Sequence, residues 1–217
     1  MTTPESADIP RVTVLLSNVL ERVSLGGTED DKGQDKISLA GLISALEERA
    51  FGLGILILAL PCCIPFLYGI PQVVALPMLA LAAQLAAGRH EPWLPQSLAS
   101  REVPVAGLKD VVGRTRRYLG FVEKLAAPRL QFLSEGIGAR VVGAIMLIPT
   151  ASILVPLPST NTVPGIGVAI ASVGLLERDG LLILAGLAIG LIWVAALIIL
   201  GESIASFILD MLRGSEA

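Results

Sequence analysis

The chain has a single histidine and two cysteines, and only 4% of its residues are aromatic. One histidine, His90, provides neither a His cluster for a metal nor a Ser-His-Asp set for nucleophilic catalysis. Cys62 and Cys63 are neighbours without the C-x-x-C spacing of zinc or redox sites, and they read as buried structural thiols. Charge is scarce too, at 16% of residues, against about 25% in soluble domains. A net charge of −3 argues against nucleic acid as a partner. No P-loop and no dinucleotide-binding glycine pattern occurs. No enzymatic activity, cofactor or metal is therefore expected. The N-terminal "MTTPESADIP" is acidic and no short apolar core follows it, so a secretory signal is not expected.

What fills the chain instead is aliphatic. Hydrophobic residues make up 53%, supplied by Leu, Ala, Val, Ile and Gly, the mixture of packed membrane helices. Residues 50–88 form a charge-free run of 39, residues 141–176 one of 36, and residues 180–201 one of 22. The last matches the ~20 residues that cross a bilayer as a helix. The first two are too long for one helix and short for two. Two tilted helices or a re-entrant hairpin both fit each of them. The expected class is an all-α integral membrane protein with two proline-broken helical hairpins, a final transmembrane helix and amphipathic interfacial helices. Gly180, Gly186 and Gly190 form a small-residue stripe on the final helix, open to internal packing or to pairing of two copies.

The prolines suggest a repeat. Pro65 and Pro71 enclose "FLYGI", and Pro158 and Pro164 enclose "STNTV", 93 residues later. A further proline, Pro61 or Pro156, precedes each pair. Irregular backbone at membrane depth is tolerated where protein or a wet cavity satisfies it, and transporters bind substrates at such broken helices. Thr160 and Asn161, with Tyr68 and Gln72 in the other run, could line such a cavity; an ordinary turn at the far membrane face would suit the same residues. Gln84 needs a partner, and an interhelical hydrogen bond is expected. Glu48 and Arg49 precede the first run, and Glu177, Arg178 and Asp179 close the second. Ion pairs or headgroup anchors are their expected role, whereas a buried pairing of the two sets would mark a substrate or proton site.

The polar segments have helical periodicity. Val12, Leu15, Leu16, Val19, Leu20 and Val23 share one face, followed by an acidic linker over 24–36. A helix capped by Ser38 then leads into the first apolar run. Leu108, Val111, Val112, Leu119, Val122 and Leu125 mark an amphipathic helix whose other face carries Lys109, Arg114, Arg116, Arg117 and Lys124, suited to a membrane surface. Five Lys/Arg precede residue 50 and nine lie between 89 and 140, leaving only Arg178 and Arg213 beyond. That asymmetry predicts a cytoplasmic N-terminus and middle segment. The expected segments are 1–49 (helices and acidic linker), 50–88 (first hairpin), 89–140 (basic connection), 141–176 (second hairpin) and 177–217 (final helix and tail).

Four stretches carry a family resemblance: "DKISLAGLISALEERAFG", "LP…P" at 60–65, "ALAAQLAAGRHEPWLP" and "VPLPSTNTVPGIGVAIASVGLLERDG". Together they resemble the exopolysaccharide synthesis protein ExoD family over about residues 10 to 200. In that family a polar residue such as Asn usually follows the first leucine-proline; Cys62 and Cys63 stand there in this chain, while Asn161 matches in the second turn. The resemblance implies a bacterial inner-membrane protein linked to exopolysaccharide production, and it implies no catalytic residues. Two roles are open. The protein transports a small ion or a lipid-linked saccharide through the paired hairpins, or it is an accessory or regulatory component of a synthesis complex and moves nothing. Membrane lipids and a second copy of the chain are the expected partners.

Overall fold

The computed structural model describes residues 36–38, 43–44, 46, 48–65, 67, 69–96, 102–104, 129–155 and 161–214, the stretches 36–38, 102–104 and 203–214 as backbone alone. The expected amphipathic helices over 12–23 and 108–125 lie outside the described residues, as do Tyr68, Pro156, Pro158 and Thr160.

Each long apolar run folds into two helices. The first gives α1 (Arg49–Ala59) and α2 (Ile70–Ala86). The second gives α3 (Gly136–Ser152) and α4 (Thr162–Glu177), and α5 (Gly180–Gly214) follows. Between α1 and α2 the chain tightens into a 3-10 turn, Leu60–Cys63, with Pro61 early in it. The missing N–H of proline removes a helical hydrogen bond, and the residue before Pro65 is pushed to extended backbone; Ile64 has φ −83° and ψ 118°. Gly69 at φ +82° makes the corner, and Pro71 sits where a helix start tolerates it. α5 runs 35 residues, well past the apolar stretch expected to form it, because "ESIASFILDMLR" contains no proline or glycine to stop it.

Close glycine contacts set the packing. A Cβ on Gly52 of α1 would lie 2.8 Å from Ser172 O and 2.9 Å from Leu176 N of α4. A Cβ on Gly143 of α3 would lie 2.6 Å from Ala86 N and 3.0 Å from Ala82 O of α2. Gly54 faces Leu81, so α1 and α2 form an antiparallel hairpin. α3 and α4 also touch, closing a ring of four helices, with α5 against α3 and α4. The stripe on α5 is spent inside the chain: Gly186 meets Gly167 and Ala171, and Gly190 meets Pro149. The core holds Phe51, Ile55, Met78, Met146, Val168 and Ile183.

The outer faces are apolar as well. Ile70, Val73 and Leu76 on α2 are half-exposed or more, as are Ile137, Val141 and Ile148 on α3 and Ile192, Ile198 and Leu200 on α5. Among the described residues one stretch, Gly180–Glu202, is long and apolar enough to cross a membrane.

Among the described residues the structure is helical, with turns, apart from one small ribbon. β1 (Lys36–Ser38) pairs antiparallel with β2 (Glu102–Pro104), Ile37 opposite Val103. Ser38 is therefore a strand residue and not a helix N-cap. The two segments satisfy each other's backbone groups across a wide sequence gap, a pairing that local periodicity does not reveal.

Candidate functional site

Polar groups gather at the two ends of the bundle. At the proline end, Asn161 occupies the N-cap position of α4 without capping it. An N-cap Asn ordinarily has extended backbone and accepts from an N–H two or three residues on. Asn161 is helical (φ −80°, ψ −23°) and makes no such bond. It is 7% exposed, and its Oδ1 is buried with no hydrogen-bond partner. Gln72, in the first turn of α2, buries Oε1 in the same way. The two turns meet at Cys62: a Cβ on Gly165 would lie 2.7 Å from Cys62 Cβ and 3.0 Å from its carbonyl carbon. Cys62 is buried and Cys63 half-buried, both as free thiols. Their sulfurs lie 3.8 Å and 3.4 Å from the carbonyl oxygens of Leu58 and Ala59. Pro164 is buried in the first turn of α4.

The middle of the bundle is dry in character. Thr150 and Ser172 are fully buried, and each hydroxyl donates to its own helix, to Met146 O at 2.8 Å and Val168 O at 2.7 Å. They need no ligand and offer no free polar path between the ends.

At the other end the charges converge. The antiparallel α1–α4 contact brings Arg49, 5% exposed, level with Glu177 and Arg178, so the two charged sets expected from the sequence share one face of the bundle. Arg178 Nη1 pairs with Glu135 Oε1 at 2.7 Å. Asp179 is buried and caps α5, its Oδ1 accepting from Leu181 N at 2.9 Å and Leu182 N at 3.3 Å. Glu48 Oε1 lies 3.3 Å from His90 Nδ1. Glu135 and His90 were not picked out by sequence reasoning; the pairs they form are 43 and 42 residues apart in the chain, and no local pattern marks them.

Gln84 corrects an expectation. Among the described residues it bonds no other helix: its Oε1 accepts from Trp93 N at 2.6 Å and its Nε2 donates to Trp93 O at 3.3 Å. The side chain thereby closes the segment after α2. That segment turns at Gly88, φ +78°, where Arg89 N donates to Gln84 O at 3.1 Å and Gly88 N to Leu85 O at 2.9 Å, a Schellman end. Beside it lies a small, shallow niche open to solvent, lined among others by Glu48, Gly88, Arg89, His90, Gly136 and Arg140.

These features define a helical bundle with apolar flanks, one charged end and one proline-turn end. Residues 16–199 match the family described as "Exopolysaccharide synthesis, ExoD", and the chain belongs to that family. It is similar to an uncharacterised protein of Synechocystis sp., 31% identical over 163 residues, covering 73% of this chain and 76% of the relative. It is also similar to Protein ExoD of Rhizobium meliloti, 29% identical over 155 residues, covering 69% of this chain and 64% of that protein. No solved structure matches.

Proposed function

We propose that the chain is an integral protein of the bacterial inner membrane that serves exopolysaccharide synthesis as a non-enzymatic, non-transporting accessory component. The observation that carries this reading is the interior of the four-helix ring, filled by apolar side chains with its two hydroxyls satisfied within their own helices. Residence in the membrane is supported by the apolar outer faces, which in water would be a large uncompensated patch. The arginine and lysine distribution supports the charged end lying in the cytoplasm.

Within this reading the hairpins are a parallel internal repeat. The register that supports it is 91 residues for the first helices and 90 for the second, not the 93 of the proline pairs. Phe51, Ile55, Ala59 and Cys62 are buried, and so are Val142, Met146, Thr150 and Ile153. Ala75, Met78, Ala82 and Leu85 are buried, as are Gly165, Val168, Ser172 and Leu175. Gly52 meets Ser172, Leu175 and Leu176, while Gly143 meets Ala82, Leu85 and Ala86. The backbone bond from Arg89 N to Gln84 O has its counterpart from Asp179 N to Gly174 O.

A transport role is the second reading, favoured by the unpartnered Oδ1 of Asn161 and Oε1 of Gln72 at the two turns. One experiment separates them. In a bacterium lacking its own copy, the Asn161→Ala/Gln72→Ala double variant restores polymer output to the wild-type level. Loss of output at normal membrane abundance would move support to transport through the turns.

A further inference from the structure

The two halves of the repeat treat their charges differently. At the junction of α1 with α4, Arg49 and Asp179 are buried, and Glu177 ends α4 at the same end of the bundle. At the junction of α3 with α2, the position of Arg49 is held by Arg140, and that of Asp179 by Arg89. Ala87 stands where the other half has Glu177. One half therefore carries an arginine with carboxylates, and the other carries two arginines.

Arg140 packs over Gly88, its guanidinium covering the glycine where any Cβ would collide. It is exposed, as is Arg89. Neither guanidinium makes a hydrogen bond or ion pair among the described residues. The nearby carboxylate, Glu48, is engaged at 3.3 Å by His90. Both arginines line the same niche, which Gly88 and Gly136 keep free of side-chain bulk. Two guanidinium forks opening on one concave site suit an oxyanion with several acceptor oxygens.

We propose that this niche binds a phosphate group, carried on a lipid headgroup or free in the cytoplasm, which supplies the anion that the other half of the repeat holds internally. The proposal rests on the repeat and on the membrane setting given above. A phosphate at this level would sit beside the ends of α2 and α3, where a headgroup meets a membrane-embedded helix.

The test uses the full-length chain in detergent micelles doped with phosphatidic acid or with diacylglycerol of the same acyl chains, which lacks only the phosphate. Phosphatidic acid is retained and diacylglycerol is not. If inorganic phosphate displaces the lipid, the phosphate group alone is the ligand; if it does not, the headgroup as carried on its lipid is. Arg140→Gln weakens retention about tenfold, the scale of one charge-assisted hydrogen bond. Arg89→Asp restores the carboxylate of the opposite half, so it abolishes retention while the unfolding temperature holds or rises. Equal retention of the two lipids, or unchanged retention in both variants, would overturn the site. Polymer output in cells reports the accessory role separately, so either idea can fail alone.

Discussion

Asp179 does two jobs at one position. Its N–H ends α4 by donating to Gly174 O at 2.8 Å, and its carboxylate opens α5 by accepting from two backbone N–H groups. Arg178 makes the corner by adopting left-handed backbone at φ 57°. In the sequence, "ERDG" reads as edge charge, yet an Asp directly before an apolar run is also a helix-start signal, so this role was available and outweighed. Asp179→Ala costs about 1 kcal/mol through the lost cap, and Asp179→Asn recovers most of it. Chemical unfolding of the purified protein in detergent measures both. Equal losses in the two variants would show that the negative charge matters more than the hydrogen bonds.

Helices approach this closely at the α1–α4, α2–α3 and α4–α5 crossings because glycine occupies them. Gly52→Val places methyl groups against Ser172 O and Leu176 N, backbone atoms that cannot step aside. Overpacking of this kind costs about 1–3 kcal/mol, and the variant unfolds at a lower temperature. Gly201 has nothing within 4 Å of its missing Cβ, so Gly201→Ala leaves stability unchanged or raises it by up to about 1 kcal/mol through helix propensity. Reversal of that order would remove close packing as the reason for glycine at position 52. The spacing of Gly186 and Gly190 was plain in the sequence, but its partner was not. A small-residue stripe looks the same whether Gly167 of the same chain or another copy lies against it. Pro77 and Pro149 show the converse, since both lie inside helices that continue through them; neighbouring helices support a backbone that propensity alone would break.

The helices differ in reach. α2, α3 and α4 have 17, 17 and 16 residues, or about 24–26 Å at 1.5 Å per residue, against a hydrocarbon core of ~30 Å. The Gly180–Glu202 part of α5 has 23 residues and reaches about 35 Å. In the proposed membrane setting, the ring of four suits a thinner bilayer than its fifth helix does. The protein is expected to unfold at the highest temperature in vesicles of 14- to 16-carbon lipids, roughly matching the short helices, and to lose stability in 22-carbon lipids. A steady rise in stability with chain length would mean that α5 alone sets the match.

Hydropathy and residue patterns were sufficient to anticipate the helical class and the family. These depend on which residues stand next to one another, and the chain states that directly. The partners did not follow from it. Arg178 finds Glu135, Gln84 closes on Trp93, Cys62 lies beneath Gly165, and the glycine stripe turns inward. Each of these contacts depends on how far one helix slides along another, and that is set by the summed fit of many buried side chains. In the proposed repeat, the proline pairs give an offset of 93 and the burial pattern one of 91 and 90; turns tolerate insertions that packed helices do not.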